Sequence, residues 1–203
     1  MDESGMTKAL DWAYDKAING VPGLSTAYEL GDDYLQQNGS LVEKVDSLIR
    51  WQNAKCATSG FITGLGGLMT LPVAIPANIS SVLYVQIKMI AAISYMGGYD
   101  IKSDRVKSLV FICLTGSAAT DLCKDVGISI GSKIAQQTIK KIPREAIVKI
   151  NQKATFRLVT KFGERGVINL GKAIPLLGGL IGGTIDAVAT NTIGNVAKKT
   201  FIE

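Results

Sequence analysis

The sequence predicts an all-α protein, a single helical bundle built around apolar hairpins that glycine and proline interrupt. Three observations favour this fold class. Hydrophobic residues make up 47% of the 203 residues and charged residues only 19%, a composition typical of a helical protein that meets a membrane or a large partner surface. Aromatic residues are scarce, and the β-branched runs do not alternate with polar residues as strands require. Capping residues and prolines instead divide the chain into segments of helical length.

Residues 1–39 are predicted to form an acidic helical appendage to a domain that spans residues 40–203. The first helix is expected over residues 6–19, which have the apolar and polar faces of an amphipathic helix. A second helix is expected from about Thr26 to residue 37, because Thr26 and Glu29 have the spacing of a capping box. The acidic start of the chain, without an apolar segment behind it, predicts no secretory signal and a cytoplasmic protein.

A third helix is predicted to follow Ser40, since Ser40 and Glu43 repeat the capping-box spacing. Trp51 lies on this helix and has two interpretations, a core residue or an anchor at a membrane interface. We expect the core position, because it is the commoner one for tryptophan.

The longest apolar stretch runs from Cys56 to Tyr99, where the only charged side chain is that of Lys88. Prolines divide it into two helices, of which the second, from about residue 76 to 96, has roughly the 20 residues that cross a hydrocarbon core. A lysine near the membrane midplane costs on the order of 2.5 to 3.5 kcal/mol. We therefore expect a buried hairpin in which Lys88 and Gln86 face a polar partner, with lipid contact on one face left open. The residues expected to shape this hairpin and its helix packing are Gly60, Gly64, Gly66, Gly67, Pro72 and Pro76.

Two further helices are expected over residues 105–121 and 128–141. Ser103 and Asp104 give the first of them a suitable N-cap, and Pro143 ends the second and begins the helix that follows. Cys56, Cys113 and Cys123 are odd in number and embedded in apolar sequence, which predicts buried thiols rather than disulfides or a zinc site.

The helix expected over residues 143–162 carries the sharpest charge pattern in the chain. Four cations recur every four residues and so share one side of the helix, with an apolar row one residue further on. Residues 133–172 hold ten Lys or Arg against two Glu, although the whole chain has a net charge of only +5. We call these four residues the basic stripe: Lys149, Lys153, Arg157 and Lys161.

The basic stripe has three interpretations: a solvated face, a surface that binds anionic lipid headgroups, or an intramolecular partner for the acidic N-terminal helices. Apolar segments on both sides of the stripe favour the lipid interpretation. Nucleic acid is not expected as a partner, because no aromatic residues interleave with the cations and no nucleic-acid-binding motif accompanies them.

The last segment is a second glycine-rich apolar stretch, in which Asp186 is the one charge between residues 173 and 197. An ion pair of Asp186 with Lys88, direct or through Gln86, would relieve the cost of burying both charges, so we predict a buried polar clamp of these three residues. Small residues spaced by four allow another helix to approach closely, within the fold or in a homo-oligomer. The small residues are Gly178, Gly179, Gly182 and Gly183, and Pro175 is expected to shape this second hairpin.

The chain contains no histidine, which removes the commonest general base, the Ser-His and Cys-His nucleophile pairs and histidine metal sites. The glycine runs match neither a dinucleotide fingerprint nor a P-loop. We therefore expect no catalytic residues, no metal and no cofactor. A hydrolase acting on a hydrophobic substrate stays open only if Asp186 or Asp100 meets Lys88 or a serine in a cleft.

Several of these features together closely resemble the EcsC family of bacterial proteins, from about residue 40 to the end of the chain. They are Gly64-Leu65-Gly66-Gly67, Leu71-Pro72, Gly97-Gly98-Tyr99-Asp100, Ile142-Pro143, Ile174-Pro175, and Gly182-Gly183 with Asp186. The resemblance implies a helical, membrane-associated protein and supplies no catalytic residues.

The sequence thus predicts a non-enzymatic protein of the cytoplasmic membrane face that binds anionic lipid through the basic stripe. It is expected to insert into or perturb the bilayer, as an accessory protein or an effector, alone or as a homo-oligomer. The alternative is a soluble helical module that docks another protein, such as a transporter or secretion complex.

Overall fold

The computed structural model describes residues 2–57, 77–125, 127–128, 133–162 and 178–203, and only the backbone of residues 56, 57, 77, 78 and 178–187. These ranges contain nine α-helices and one 3₁₀ turn and no β-strand, so the all-α prediction is confirmed. The helices are α1 (Glu3–Asn19), α2 (Ala27–Leu35), α3 (Leu41–Ala57), α4 (Ala77–Met96), α5 (Asp104–Cys113), α6 (Ala119–Lys124), α7 (Gln136–Lys140), α8 (Arg144–Phe162) and α9 (Gly178–Phe201), with the 3₁₀ turn at Gly116–Ala118.

Helix α4 lies at the centre of the core and packs against α1, α2, α3, α5 and α9. Every residue from Ile79 to Ser94 is buried, so the helix is covered on all sides rather than along one stripe. Among the described residues, α4 is the one helix long and apolar enough to cross a membrane, and 89% of residues 79–96 are buried inside the protein. A helix at the centre of a large core meets the same criterion.

The two N-terminal helices contribute to the same core. Helix α1 begins at Glu3, earlier than residue 6, because the Asp2 carboxylate accepts a hydrogen bond from the Gly5 N–H at 2.8 Å. The Tyr14 hydroxyl of α1 donates to the Ile101 carbonyl at 2.7 Å, and its ring meets Phe111 edge to face. The boundary near residue 39 stays a prediction, although α1 and α2 share their core with the rest of the chain.

Both predicted capping boxes are present. Thr26 and Glu29 cap α2 through reciprocal side-chain bonds, and Ser40 and Glu43 do the same for α3. The hydrogen bonds from the capping residues lower the pKa of both glutamates.

The chain departs from the helix predicted over residues 105–121. Helix α5 ends at Cys113, and the 3₁₀ turn and α6 follow it. Gly116 adopts a φ of 63°, a left-handed conformation that interrupts an α-helix and that favours glycine.

The helix predicted over residues 128–141 is also wrong in its described part, since residues 133–135 are not helical and α7 covers only Gln136–Lys140. Long-range hydrogen bonds hold this segment instead. The Ile134 N–H donates to the Thr200 carbonyl at 3.0 Å, and the Tyr99 hydroxyl donates to the Ile134 carbonyl at 2.6 Å. Tertiary contacts therefore override the local helical pattern here.

Helices α8 and α9 complete the bundle and pack against largely different helices. Helix α8 packs against α5, α1 and α6, whereas α9 lies along α3 and α4 and also reaches the 3₁₀ turn. The contact between α9 and α3 is close at Gly194, where a Cβ atom would lie 2.8 Å from Cγ1 of Ile49.

Candidate functional site

Helix α8 presents one apolar face to the core. Ile150, Ala154 and Leu158 are at most 2% exposed, so the apolar row that the four-residue repeat predicts is buried. The repeat places the neighbouring row at the edge of this buried face. The position of α8 on the outside of the bundle therefore determines where the basic stripe lies.

The basic stripe lies at the surface. Lys149, Arg157 and Lys161 are exposed, and Lys153 is half-buried, with its Nζ 2.6 Å from Oδ2 of Asp125. Asp125 follows α6, so this ion pair does not involve the acidic N-terminal helices. The Lys161 Nζ lies 5.1 Å from the centre of the Phe162 ring. Three of the four stripe cations are therefore exposed on one outer helix.

Two exposed apolar side chains beside the stripe were missed by the sequence analysis. Phe156 is 60% exposed and Val148 is 48% exposed. Each directly precedes a stripe residue, and Gln152 stands between them at the same four-residue spacing. The spacing of Val148, Gln152 and Phe156 shows in the sequence that the three residues share one side of α8. Periodicity alone did not show that this side points away from the core. The outer face of α8 thus combines cations with large apolar side chains.

Lys88 is buried in α4 and only 7% exposed. Its Nζ donates to the Ser25 carbonyl at 3.2 Å and lies 5.1 Å from the centre of the Tyr84 ring. Burial lowers the pKa of Lys88 from 10.5 to about 8, the nearby Lys55 adds to this decrease, and Glu29 opposes it. Lys88 therefore joins the centre of the bundle to the segment that caps α2.

Gln86 joins α4 to α9. Its Nε2 donates to the Thr190 hydroxyl at 3.1 Å, and its Oε1 is buried without a hydrogen-bond partner among the described residues. Asp186 lies one turn before Thr190 on α9, but its side chain is outside the described residues. The clamp of Lys88, Gln86 and Asp186 therefore stays a prediction.

Trp51 is 57% exposed, so the expectation that it packs into the core is wrong. The core face of α3 is formed by Val45, Leu48 and Ile49, and the helical period turns Trp51 away from them. The Lys55 Nζ lies 5.7 Å from the centre of the Trp51 ring.

The remaining candidate residues fall in three groups. Cys113 and Cys123 are buried free thiols, as predicted, and burial raises the pKa of both to about 12. Among the described residues, no group of three or more acidic or cysteine side chains could hold a metal ion. Four of the predicted packing glycines lie on α9, where only the backbone is described: Gly178, Gly179, Gly182 and Gly183. The other predicted packing residues lie outside the described residues: Gly60, Gly64, Gly66, Gly67, Pro72, Pro76 and Pro175.

These features define an all-α protein with a largely buried central helix and an outer helix that carries exposed cations and apolar side chains. The EcsC protein family matches residues 9–202, nearly the whole chain, and the chain belongs to this family. The match also covers most of residues 1–39, beyond the part of the chain from which the resemblance was recognised. No curated protein and no solved structure matches the chain.

Proposed function

We propose that this protein is a non-enzymatic, membrane-associated protein that binds the anionic surface of the cytoplasmic membrane through α8. The observation that carries the proposal is the outer face of α8, where three exposed cations of the basic stripe stand beside Phe156 and Val148. Each Lys or Arg near an anionic membrane contributes about 1 kcal/mol to binding. Burying an exposed aromatic side chain at the headgroup boundary adds a hydrophobic contribution that salt does not screen.

The burial of α4 favours peripheral binding over a membrane span. A span by α4 would require its contacts with five other helices to be broken. Binding by the outer face of α8 needs no such rearrangement, because the stripe and Phe156 already face solvent.

The test is co-sedimentation of the detergent-free protein with neutral and anionic liposomes at low and high salt. We expect salt-sensitive binding to vesicles that contain phosphatidylglycerol and weak binding to phosphatidylcholine alone. Replacing all four stripe residues by Gln should weaken binding roughly 100- to 1000-fold, from about 1 kcal/mol per charge. Leakage of a trapped dye in the same samples would indicate an effector that perturbs the bilayer, and intact vesicles would indicate an accessory protein.

A matched control variant separates the effect of the basic stripe on binding from the effect of net charge. A second variant removes the same number of charges at exposed positions elsewhere. Its substitutions are Lys8→Gln, Arg50→Gln, Lys102→Gln and Lys199→Gln. We expect this control to keep most of the binding, and an equal loss in both variants would refute a specific role of α8.

A second candidate function is docking of a partner protein. A groove of about 680 Å³ between α1, α6 and α8 combines Phe156 and Leu122 with charges of both signs, including Glu3, Asp121 and Arg157. Mixed charges around an apolar centre are typical of protein interfaces. This function predicts a protein that ignores liposomes of either kind and that loses its partner when Phe156 is replaced by Ser.

A further inference from the structure

A recess lies between α8, the 3₁₀ turn and α9, on the side of the basic stripe that faces the C-terminal helix. Its volume of about 480 Å³ falls in the range of small-molecule sites, roughly 300 to 1,000 Å³. Its apolar wall includes Leu158 and Ile193. Its polar lining consists of Arg157, Lys161, Thr115, Ser117, Thr160 and Thr192.

The charged side chains that line the recess among the described residues are both cations, Arg157 and Lys161. Arg157 forms no hydrogen bond or ion pair within the described part of the chain, so its guanidinium is available to a ligand. A guanidinium can donate two parallel hydrogen bonds to one phosphate group, and a neighbouring ammonium adds a further charge.

The hydroxyl groups that line the recess differ in whether they are free to donate a hydrogen bond to a ligand. The three threonine hydroxyls donate to carbonyls of their own helical turns at 2.6 to 3.0 Å. The exposed Ser117 hydroxyl has no hydrogen-bond partner among the described residues and is therefore the free donor. Donors without competing acceptors are what an anionic oxygen requires.

The other side of Arg157 is less favourable to a single phosphate group than the recess is. There Arg157 borders the groove that also contains Glu3, Asp121 and Asp125. Asp125 pairs with Lys153 there, and the three carboxylates offset part of the positive charge on that side of Arg157. The recess has no carboxylate among its described lining residues, so it is the more favourable side of Arg157 for a phosphate group.

We propose that the recess binds the phosphate group of an anionic ligand, a phospholipid headgroup or a soluble phosphate ester, through Arg157, Lys161 and Ser117. The inference deepens the proposed membrane function and, for a lipid ligand, rests on it. Arg157 and Lys161 then hold one headgroup, whereas Lys149 and Lys153 act through charge alone.

The experiment compares two double variants of the same helix. One carries Arg157→Gln with Lys161→Gln and the other carries Lys149→Gln with Lys153→Gln, so both lose two positive charges from α8. A third variant, Ser117→Phe, fills the recess without changing the charge, and circular dichroism checks that each variant is folded. The probes are glycerol 1-phosphate, followed through the amide NMR signals of Gly116 and Ser117 or by calorimetry, and vesicles that contain phosphatidylglycerol.

We expect the first double variant and Ser117→Phe to bind glycerol 1-phosphate at least tenfold more weakly than the native protein, and the second double variant to stay within about twofold. If the ligand is a lipid headgroup, the same two variants also bind vesicles more weakly than the second double variant does. If the ligand is a soluble phosphate ester, the two double variants lose vesicle binding equally and differ only towards glycerol 1-phosphate.

The recess would be refuted as a phosphate site if both double variants lost binding equally with both probes and Ser117→Phe behaved like the native protein. That result would leave the membrane proposal intact. Absence of vesicle binding by the native protein would instead overturn the membrane proposal. In that case the titration with glycerol 1-phosphate would still decide whether the recess binds a phosphate group.

Discussion

Replacing Lys88 by Met tests how much the buried charge of α4 costs the folded protein. The Lys88 ammonium is 7% exposed and faces the Ser25 carbonyl, the Tyr84 ring, Lys55 and Glu29. Burial lowers its pKa from 10.5 to about 8. Methionine has a similar length and no charge, so the substitution removes the titrating ammonium group and keeps most of the packing.

The sign of the pH dependence follows from the lowered pKa. Below pH 8, Lys88 is protonated in the folded and the unfolded protein, and the folded protein bears the full cost of the buried charge. A decrease from 10.5 to about 8 sets this cost at roughly 3 kcal/mol. Between pH 8 and 10.5 the folded protein releases the proton first, so the cost is relieved as the pH rises.

The assay is urea unfolding, followed by circular dichroism, of the native protein and Lys88→Met at pH 7 and pH 10. The free energy of unfolding of the native protein should rise by roughly 2 to 3 kcal/mol relative to the variant between these two pH values. Lys102→Met, at an exposed position, is the control and should show no such change. A difference between native protein and Lys88→Met that is the same at both pH values would refute the reasoning.

Two further substitutions test the packing of α9. Gly194→Ala places a Cβ atom 2.8 Å from Cγ1 of Ile49, so it should destabilise the protein by about 1 to 3 kcal/mol in urea unfolding, despite the better helix propensity of alanine. In an Ile49→Ala background the same change should cost nothing, and an undiminished cost would contradict this contact. Thr190→Val removes the acceptor of the buried Gln86 amide and should cost about 1 to 3 kcal/mol. Adding Gln86→Leu should recover most of this loss, and purely additive effects of the two changes would show that the hydrogen bond contributes nothing.

Local rules were enough to predict the fold class and most helix ends. The capping boxes at Thr26 and Ser40 depend on side chains three residues apart, so neighbours in sequence determine them. The four-residue repeat of α8 likewise determined that Ile150 and Leu158 share one face and that the cations share the next. Family membership was also recognisable, because its glycine and proline motifs can be read directly from the sequence.

Tertiary structure decided the features that depend on distant neighbours. Trp51 and Phe156 are exposed because no other described helix covers their sides of α3 and α8, and no periodicity states which side of a helix is covered. Gly116 breaks a segment whose composition suits a helix. Gln86 meets Thr190 across 104 residues of sequence.

The recess also combines a feature that the sequence determined with one that tertiary structure decided. The repeat in α8 by itself determined that Arg157 and Lys161 are neighbours on one helix. Only the tertiary arrangement of α8, α9 and the 3₁₀ turn placed Ser117 and Thr192 in the same recess. Spacing along one helix is set by its hydrogen bonds, whereas a cavity between helices is set by which side chains fill the space between them.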